Sequence, residues 1–331
     1  MKILAIRFAR LGDVILLLPA LASLKSRCPD SELTLVTGHR CAPVARLCPA
    51  IDDVIAVDRV AMRDGPIWRA VRDMVCLVRD IRKRRFDVAV DFHSFRETNL
   101  LAWLSGARIR VGMKRYKAPY WGFCFNRPPV LEDKSLHVSE MFQKVAANVL
   151  GPRSAGIAEP PRNVLVPPAL ASPWRNMAQG AVVLYVDAPV PERIWPAERF
   201  AQVADFAIET WNARVIVISS PQGAALAGRV CEASRFPGRL LLMTDLELPQ
   251  LTAVIASARL LISNDTGPMH IGPAVGVQTL GLFSVGYPEH FRPVGAADRF
   301  LRANPIDRIQ VQEVIEAMAK MWATVDRDLQ H

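Results

Sequence analysis

The sequence predicts an α/β protein of two halves, each built on a parallel sheet, and three observations carry that expectation. Short apolar runs alternate with amphipathic stretches along the chain, the pattern of a parallel sheet covered by helices on both faces. The 331 residues exceed one ordinary domain and fit two. Between them, EPPRNVLVPPALASPW (159–174) holds more prolines than a helix interior or a central strand tolerates. The expected organisation is a first half at 1–158, a proline-rich linker at 159–174 and a second half at 175–331, with a cleft between the halves.

The elements follow in order. KILAIRF (2–8) reads as a buried strand, and a helix follows from about Asp13 to Arg27. ELTLVTG (32–38), a short helix, DVIAVD (53–58) and a long helix through residue 84 come next. RKRR (82–85) places cations at that helix's C-terminus, where they suit its dipole. FDVAVDFH (86–93), TNLLAWLSG (98–106) and RIRVGM (108–113) continue the alternation. The second half opens with AVVLYVD (181–187), a helix over 196–211, ARVIVISS (213–220) and a helix over 222–234. RLLLM, a helix over 248–258, RLLISND and a terminal amphipathic helix near 307–325 complete it.

Two stretches imitate membrane or export signals. Residues 1–24 pair basic residues with VILLLPALASL, but Asp13 opens the apolar run and the preceding segment reads as a strand, so no signal peptide is expected. Residues 266–288 carry no Asp, Glu, Lys or Arg. Their glycines and prolines break the run into helix, turn and strand, so no membrane span is expected either. With 51% hydrophobic and 22% charged residues the composition is that of a globular protein. The six cysteines form no CxxC pair and read as reduced, mostly buried thiols of a cytoplasmic protein. The six histidines show no metal-ligand spacing, and the only DxD is DRD at 326–328, so no metal and no cofactor are expected.

The net charge of +9 is unevenly distributed. Residues 1–158 hold 26 Lys and Arg against 15 Asp and Glu, and the remainder 15 against 17. An anionic partner for the first half follows from that split. VGMKRYKAPYWGFCFNR (111–127) is the candidate surface, with Lys114, Arg115 and Lys117 set among Tyr116, Tyr120, Trp121 and Phe123. Packing of those aromatics in the core is the alternative.

Three strand-to-helix junctions carry candidate chemistry. In NDTGPMH (264–270) the chain leaves a strand at Asp265, Thr266 and Gly267, enters a helix at Pro268 and carries His270 in the first turn. Exposed N–H groups at such a junction favour a phosphate, although an ordinary helix capped by Asp265 or Thr266 has the same residues. In ARLGDV (9–14), Gly12 permits a tight turn and Asp13 is either a general base or a carboxylate that suits a helix N-terminus. In ERIWP (192–196), Arg193 is either a phosphate partner or a surface arginine. No GxGxxG follows a strand, and no Gx4GK[ST], GxSxG or nucleic-acid-binding signature occurs. Nicotinamide dehydrogenases and P-loop NTPases are thereby disfavoured, and no nucleic-acid partner is expected.

Taken together, ARLGDVILLLPAL, FDVAVDFHS (86–94), ARIRVGM (107–113), HVSEMF (137–142), RIWPAERFA (193–201) and LISNDTGPMHIGPAVGVQTLGLF (261–283) resemble glycosyltransferase family 9, the lipopolysaccharide heptosyltransferases. The resemblance spans nearly the whole chain. It implies a GT-B fold of two Rossmann-like halves, the acceptor on the first and a nucleotide sugar on the second, with the terminal helix crossing back to the first. It implies inverting, metal-free transfer of heptose from ADP-heptose to an anionic lipid A–Kdo acceptor, at the cytoplasmic face of the inner membrane. Asp13 would be the general base. Arg193, Thr266 and Gly267 would hold the departing diphosphate, and Asp265 and His270 would position the donor. Gly12, Lys114, Arg115 and Lys117 fall on the acceptor side.

The chain departs from the family pattern at three places. DAP (187–189) stands where the family usually has a Pro-Gly-Ala turn, and Arg193 stands for lysine. Gly223, Ala224 and Ala225 stand after SSP, where relatives tend to carry a ribose-binding carboxylate. A family member with another nucleotide sugar or acceptor, and a catalytically weakened nucleotide- or glycan-binding protein, are the alternative readings.

Overall fold

The computed structural model describes residues 1–151, 163–169, 176–295 and 297–328. Its contacts divide the chain into two units, Met1–Val164 and Leu165–His331. The division falls inside the proline-rich stretch, part of which lies outside the described residues.

The first unit is built on six parallel strands: β1 (Lys2–Arg7), β2 (Glu32–Gly38), β3 (Asp53–Val57), β4 (Val88–Asp91), β5 (Ile109–Lys114) and β6 (Val130–Leu131). They are ordered β3-β2-β1-β4-β5-β6. β1 is central, with Ile3, Leu4, Ala5 and Ile6 fully buried, which is why its sequence is continuously apolar rather than alternating. The second unit repeats the plan with β7 (Val182–Tyr185), β8 (Val215–Ile218), β9 (Leu240–Met243), β10 (Leu260–Asn264), β11 (Gln278–Phe283) and β12 (Arg299–Arg302). Its order, β12-β11-β10-β7-β8-β9, is the same when read from the other edge. In each sheet the strand order reverses beside the first strand, between β1 and β4 and between β7 and β10. Open α/β sheets bind ligands outside the carboxyl ends of the strands at such points.

Several elements differ from the sequence expectation for local reasons. The helix expected over 13–27 is two, Leu11–Ile15 and Leu18–Arg27. Pro19 lacks the N–H that a continuous helix would aim at the Ile15 carbonyl, and instead occupies the first turn of the second helix. The long helix ending at residue 84 is likewise Arg59–Asp64 and Ile67–Arg84, separated by Gly65 and Pro66. A Cβ on Gly65 would lie 2.3 Å from the Ala61 carbonyl oxygen. RKRR ends the second of these helices, with Arg85 in the left-handed conformation at φ 53°. β6, β12 and the helix Val138–Leu150 were not expected. β6 has only two residues, and β12 (RFLR) mixes charged with apolar side chains.

Cys41, Cys48 and Cys124 are buried, Cys28 and Cys231 half-buried and Cys76 exposed. Burial pushes the Cys41 and Cys48 thiols up to about 11. The terminal helix, Val311–Asp328, places Val314, Met318 and Met321 in the second unit's own core, and Trp322 stacks on Trp211 at 4.2 Å. None of the described helices is long and apolar enough to cross a membrane.

Candidate functional site

Both units bring polar groups to the carboxyl ends of their central strands. In the first, β1 ends at Arg7, whose side chain is almost fully buried. Its Nη1 donates to the Phe92 carbonyl at 2.7 Å, beyond the end of β4, and its Nη2 to Asp13 Oδ1 at 2.9 Å. The guanidinium also lies over the Phe142 ring at 4.8 Å. Arg7 is therefore fixed on three sides, and it in turn fixes Asp13, whose side chain keeps 28% exposure. Gly12 is buried inside the helix Leu11–Ile15 and is not among the glycines with positive φ, so it does not make the tight turn expected of it.

The DFHS segment holds the least conventional group of this unit. Asp91 is fully buried and accepts from the backbone N–H groups of His93 (2.8 Å) and Ser94 (3.0 Å) and from Asn99 Nδ2 (2.7 Å). Burial raises its carboxyl above the usual range while those donors oppose the shift. The turn it organises puts Ser94 at φ 61° and presents His93, which is buried with neither ring nitrogen hydrogen-bonded. Burial first, and then the charges of Arg7, Arg59 and Arg115, push the imidazole down to about 2. A neutral, unpaired imidazole among three arginines is costly to maintain without a ligand, about 1–3 kcal/mol for each buried polar atom left unsatisfied.

That shift makes a prediction. The folded value lies below the unfolded 6.5, so the unfolded chain binds the extra proton. The contribution to stability is complete above pH 6.5 and is lost as the pH falls towards the folded value. For each pH unit below 6.5, wild type should lose about 1.4 kcal/mol that His93→Phe retains. Urea unfolding across an acid pH series measures it, and parallel slopes for the two proteins would show that His93 titrates normally.

In the second unit the loop after β7 and the turn after β10 are laced together. Asn264, fully buried, donates from Nδ2 to the Val186 carbonyl (2.7 Å) and accepts from the Trp195 N–H (3.2 Å). Ser284 Oγ, beyond β11, donates to the Glu192 carbonyl. Between these ties Arg193 Nη1 contacts Asp265 Oδ2 at 3.1 Å and the Asp265 carbonyl at 3.3 Å. Asp265 is buried, and burial raises its carboxyl pKa while Arg193 opposes the rise. Gly286 makes room for it, since a Cβ there would lie 2.3 Å from Asp265 Oδ2. Arg193 Nε is buried without a hydrogen-bond partner.

Thr266 is the N-cap of the turn that follows, but its side chain makes no capping bond. The ordinary alternative, a helix capped by that hydroxyl, is therefore not what the chain forms. Nor is the element a full helix. It is the 3-10 turn Gly267–His270 followed by Ile271–Ala274, too short for a strong helix dipole, and it leaves local N–H groups at the junction. His270 is buried at the end of the turn.

Asp187, just beyond β7, is a residue that sequence reasoning passed over. Its Oδ2 accepts from Ser220 Oγ and from the Ser220 N–H (3.3 Å) at the end of β8. Gly223 admits it, because a Cβ there would lie 2.6 Å from Asp187 Cγ. A carboxylate therefore does sit against SSPQG, delivered from the neighbouring strand rather than from Gly223, Ala224 or Ala225. An acidic residue closing an apolar strand run was the available signal. His93 had a similar one, a histidine directly after a strand.

The other expected site residues divide. Arg115 joins the arginines around His93, with its guanidinium 5.4 Å from the Phe95 ring centroid. Lys114 and Lys117 are exposed, and among the described residues no ion pair joins either to Asp13. Tyr120 stacks on Phe125 at 5.1 Å against the first unit's core, whereas Tyr116 and Phe123 are exposed. Among the described residues no three of His, Cys, Asp and Glu converge to hold a metal ion.

Two units of this sheet order in one chain are the architecture of the GT-B class. The chain belongs to glycosyltransferase family 9 (heptosyltransferase), which it matches over residues 74–318. It is 22% identical over 295 residues to lipopolysaccharide heptosyltransferase 3 of Escherichia coli, covering 85% of this chain and 83% of that one. The glycosyl transferase family 9 structure from Veillonella parvula has a TM-score of 0.81 at 23% identity, over 98% of this chain and 97% of that chain. The E. coli heptosyltransferase WaaC with ADP-2-deoxy-2-fluoro heptose has a TM-score of 0.78 at 17% identity, over 97% and 99%.

Proposed function

We propose that this glycosyltransferase moves heptose from ADP-heptose to the inner core of lipopolysaccharide, a lipid A–Kdo acceptor, by a single inverting displacement without a metal ion. The observation that carries the reading is the Arg193–Asp265 pair at the turn Thr266–Gly267, a fixed cation beside backbone donors where a sheet of this order takes its ligand. A relative of the same fold was solved with an ADP-heptose analogue, which supports the choice of donor. The second unit takes the donor. Arg193, with the Thr266 hydroxyl and the Gly267 N–H, neutralises the diphosphate as its bond to the sugar breaks, while Asp265 and His270 hold that turn in place.

The first unit takes the acceptor. Asp13 removes the proton from the attacking hydroxyl while Arg7 holds the carboxylate in one orientation. The hydroxyl oxygen attacks the anomeric carbon from the face opposite ADP, which leaves with the bonding pair and inverts the centre. Arg59, Arg115 and His93 present cationic and hydrogen-bonding groups to an anionic sugar, and the surplus of basic residues in this half suits a phosphorylated glycolipid at the cytoplasmic face of the inner membrane.

The test is turnover of purified protein with ADP-heptose and a lipid A–Kdo acceptor, followed by ADP release and product mass. Other nucleotide sugars run in parallel. Turnover only with one of those would replace the donor, and stabilisation by nucleotide without turnover on any pair would favour a binding protein. Activity is expected to persist in excess EDTA; its loss on chelation and recovery with magnesium would overturn the metal-free displacement.

Asp187 takes the ribose hydroxyls in this reading. Asp187→Ala should weaken ADP binding about tenfold, the scale of one hydrogen bond to a charged group, and leave pyrophosphate binding unchanged. Calorimetry with both ligands decides. An unaltered ADP affinity would mean that Asp187 only braces Ser220.

A further inference from the structure

The helix Ile67–Arg84 has one broad apolar face, of which the first unit's core covers only one flank. Leu77 and Ile81 are buried in the first unit's core, with Met74 and Val78 packed beside them. Ile67, Val71 and Val75 nevertheless remain 81%, 58% and 50% exposed, and Trp68 58%. Ile67, Val71 and Val75 recur every fourth residue and so form one stripe along the helix. Exposed apolar side chains are ordinary singly, but a continuous stripe led by a tryptophan marks an interaction surface.

The charges around the stripe identify the partner. Arg69 and Arg72 place their guanidinium carbons 5.1 and 5.7 Å from the Trp68 ring centroid. Farther along, Arg79, Arg82 and Lys83 are exposed, and among the described residues no carboxylate pairs with them. Two neighbouring elements also expose large apolar side chains. Trp103, on the helix Arg96–Leu104, meets Phe123, on the turn Gly122–Cys124, edge-on at 6.2 Å, and both side chains are exposed. Leu101, Ala102 and Cys124 of those elements belong to the same core cluster as Leu77 and Ile81. Aliphatic and tryptophan side chains flanked by arginine and lysine are the composition of a helix lying in a bilayer interface, ring at headgroup depth and cations on the phosphates. A second copy of the chain suits this face poorly: Arg72 is paired with Asp73, but pairing the face with itself would bring Arg79, Arg82 and Lys83 of each copy against another basic surface.

We propose that the face formed by the helix Ile67–Arg84 with Trp103 and Phe123 is a membrane-docking surface for anionic phospholipid. The inference extends the glycolipid-acceptor reading and rests on it for its purpose, but its test needs no turnover, so the two fail separately. Co-sedimentation with phosphatidylethanolamine–phosphatidylglycerol vesicles and with phosphatidylcholine vesicles is compared for wild type, Trp68→Ser/Val71→Ser and Arg79→Ala/Arg82→Ala/Lys83→Ala. Wild type should bind the anionic vesicles and bind phosphatidylcholine weakly. The triple variant should lose about 100-fold in affinity for anionic vesicles, at the usual contribution of a basic residue near such a surface. The double variant should lose about tenfold or more on both kinds of vesicle. The substituted side chains are exposed, so melting temperatures should stay near wild type, and ADP binding serves as a second check of the fold. Wild type failing to sediment with anionic vesicles, or both variants sedimenting like wild type, would overturn the proposal. Self-association of wild type abolished by Trp68→Ser/Val71→Ser, with no vesicle binding, would assign the face to a second copy instead.

Discussion

Asp13→Asn is expected to lower transfer by roughly 100- to 10,000-fold, the usual cost of removing a general base, while leaving ADP binding and stability close to wild type. The amide is isosteric and its carbonyl oxygen can still accept from Arg7 Nη2, so the contact at 2.9 Å has a replacement and the helix start is not disturbed. What is lost is the capacity to take a proton. Asp13→Ala removes the Arg7 contact as well and leaves a buried guanidinium with one partner fewer, so it should lose stability in addition to rate. Single-turnover rates with donor in excess, together with ADP affinity, separate the two effects. An asparagine variant within a few-fold of wild-type rate would remove Asp13 from the chemistry and leave it as the orienting partner of Arg7.

Arg193→Met should weaken ADP binding by about 10- to 100-fold, the scale of one charge-assisted hydrogen bond, and also destabilise the second unit. The second effect arises because Asp265 would stay buried with its cation gone. Breaking a buried pair costs about 3–5 kcal/mol, and the 28% exposure of Arg193 puts this case near the lower end. Arg193→Met/Asp265→Asn should recover most of that stability, since no uncompensated charge remains, without recovering nucleotide affinity. Urea unfolding and calorimetry on the single and double variants test both halves. ADP affinity unchanged in Arg193→Met would make the pair purely structural and displace the diphosphate from this turn.

Much of this protein was legible in its sequence. Strand positions could be read because both faces of a parallel sheet are covered, so β1, β2, β7, β8 and β10 appear as short runs of apolar residues whatever surrounds them. The junctions that hold Asp13, Arg193 and Asp265 could be read for the same reason, since each lies between such a run and the next helix or turn. Helix breaks were less legible. Pro19 and the Gly65–Pro66 pair were visible as residues, but whether proline opens a new helix or bends an existing one depends on how the neighbouring turns pack.

What only the tertiary structure decided were relations between residues far apart in the chain. Asp187 meets Ser220 because β7 pairs with β8, and no local pattern records which strand lies beside which. Arg7 reaches the carbonyl of Phe92 because β1 pairs with β4, and that neighbour closes the guanidinium in. His93 is held neutral first by its burial and then by three arginines that converge on it from separate segments. The apolar face of the helix Ile67–Arg84 is continuous in sequence, so only its packing shows that Leu77 and Ile81 are covered by the core while Trp68 and Val71 are left exposed. Local sequence determines periodicity and turns because these depend on a few adjacent dihedrals. Burial, charge state and partnership depend on strand order, which is set by the free energy of the whole packed sheet.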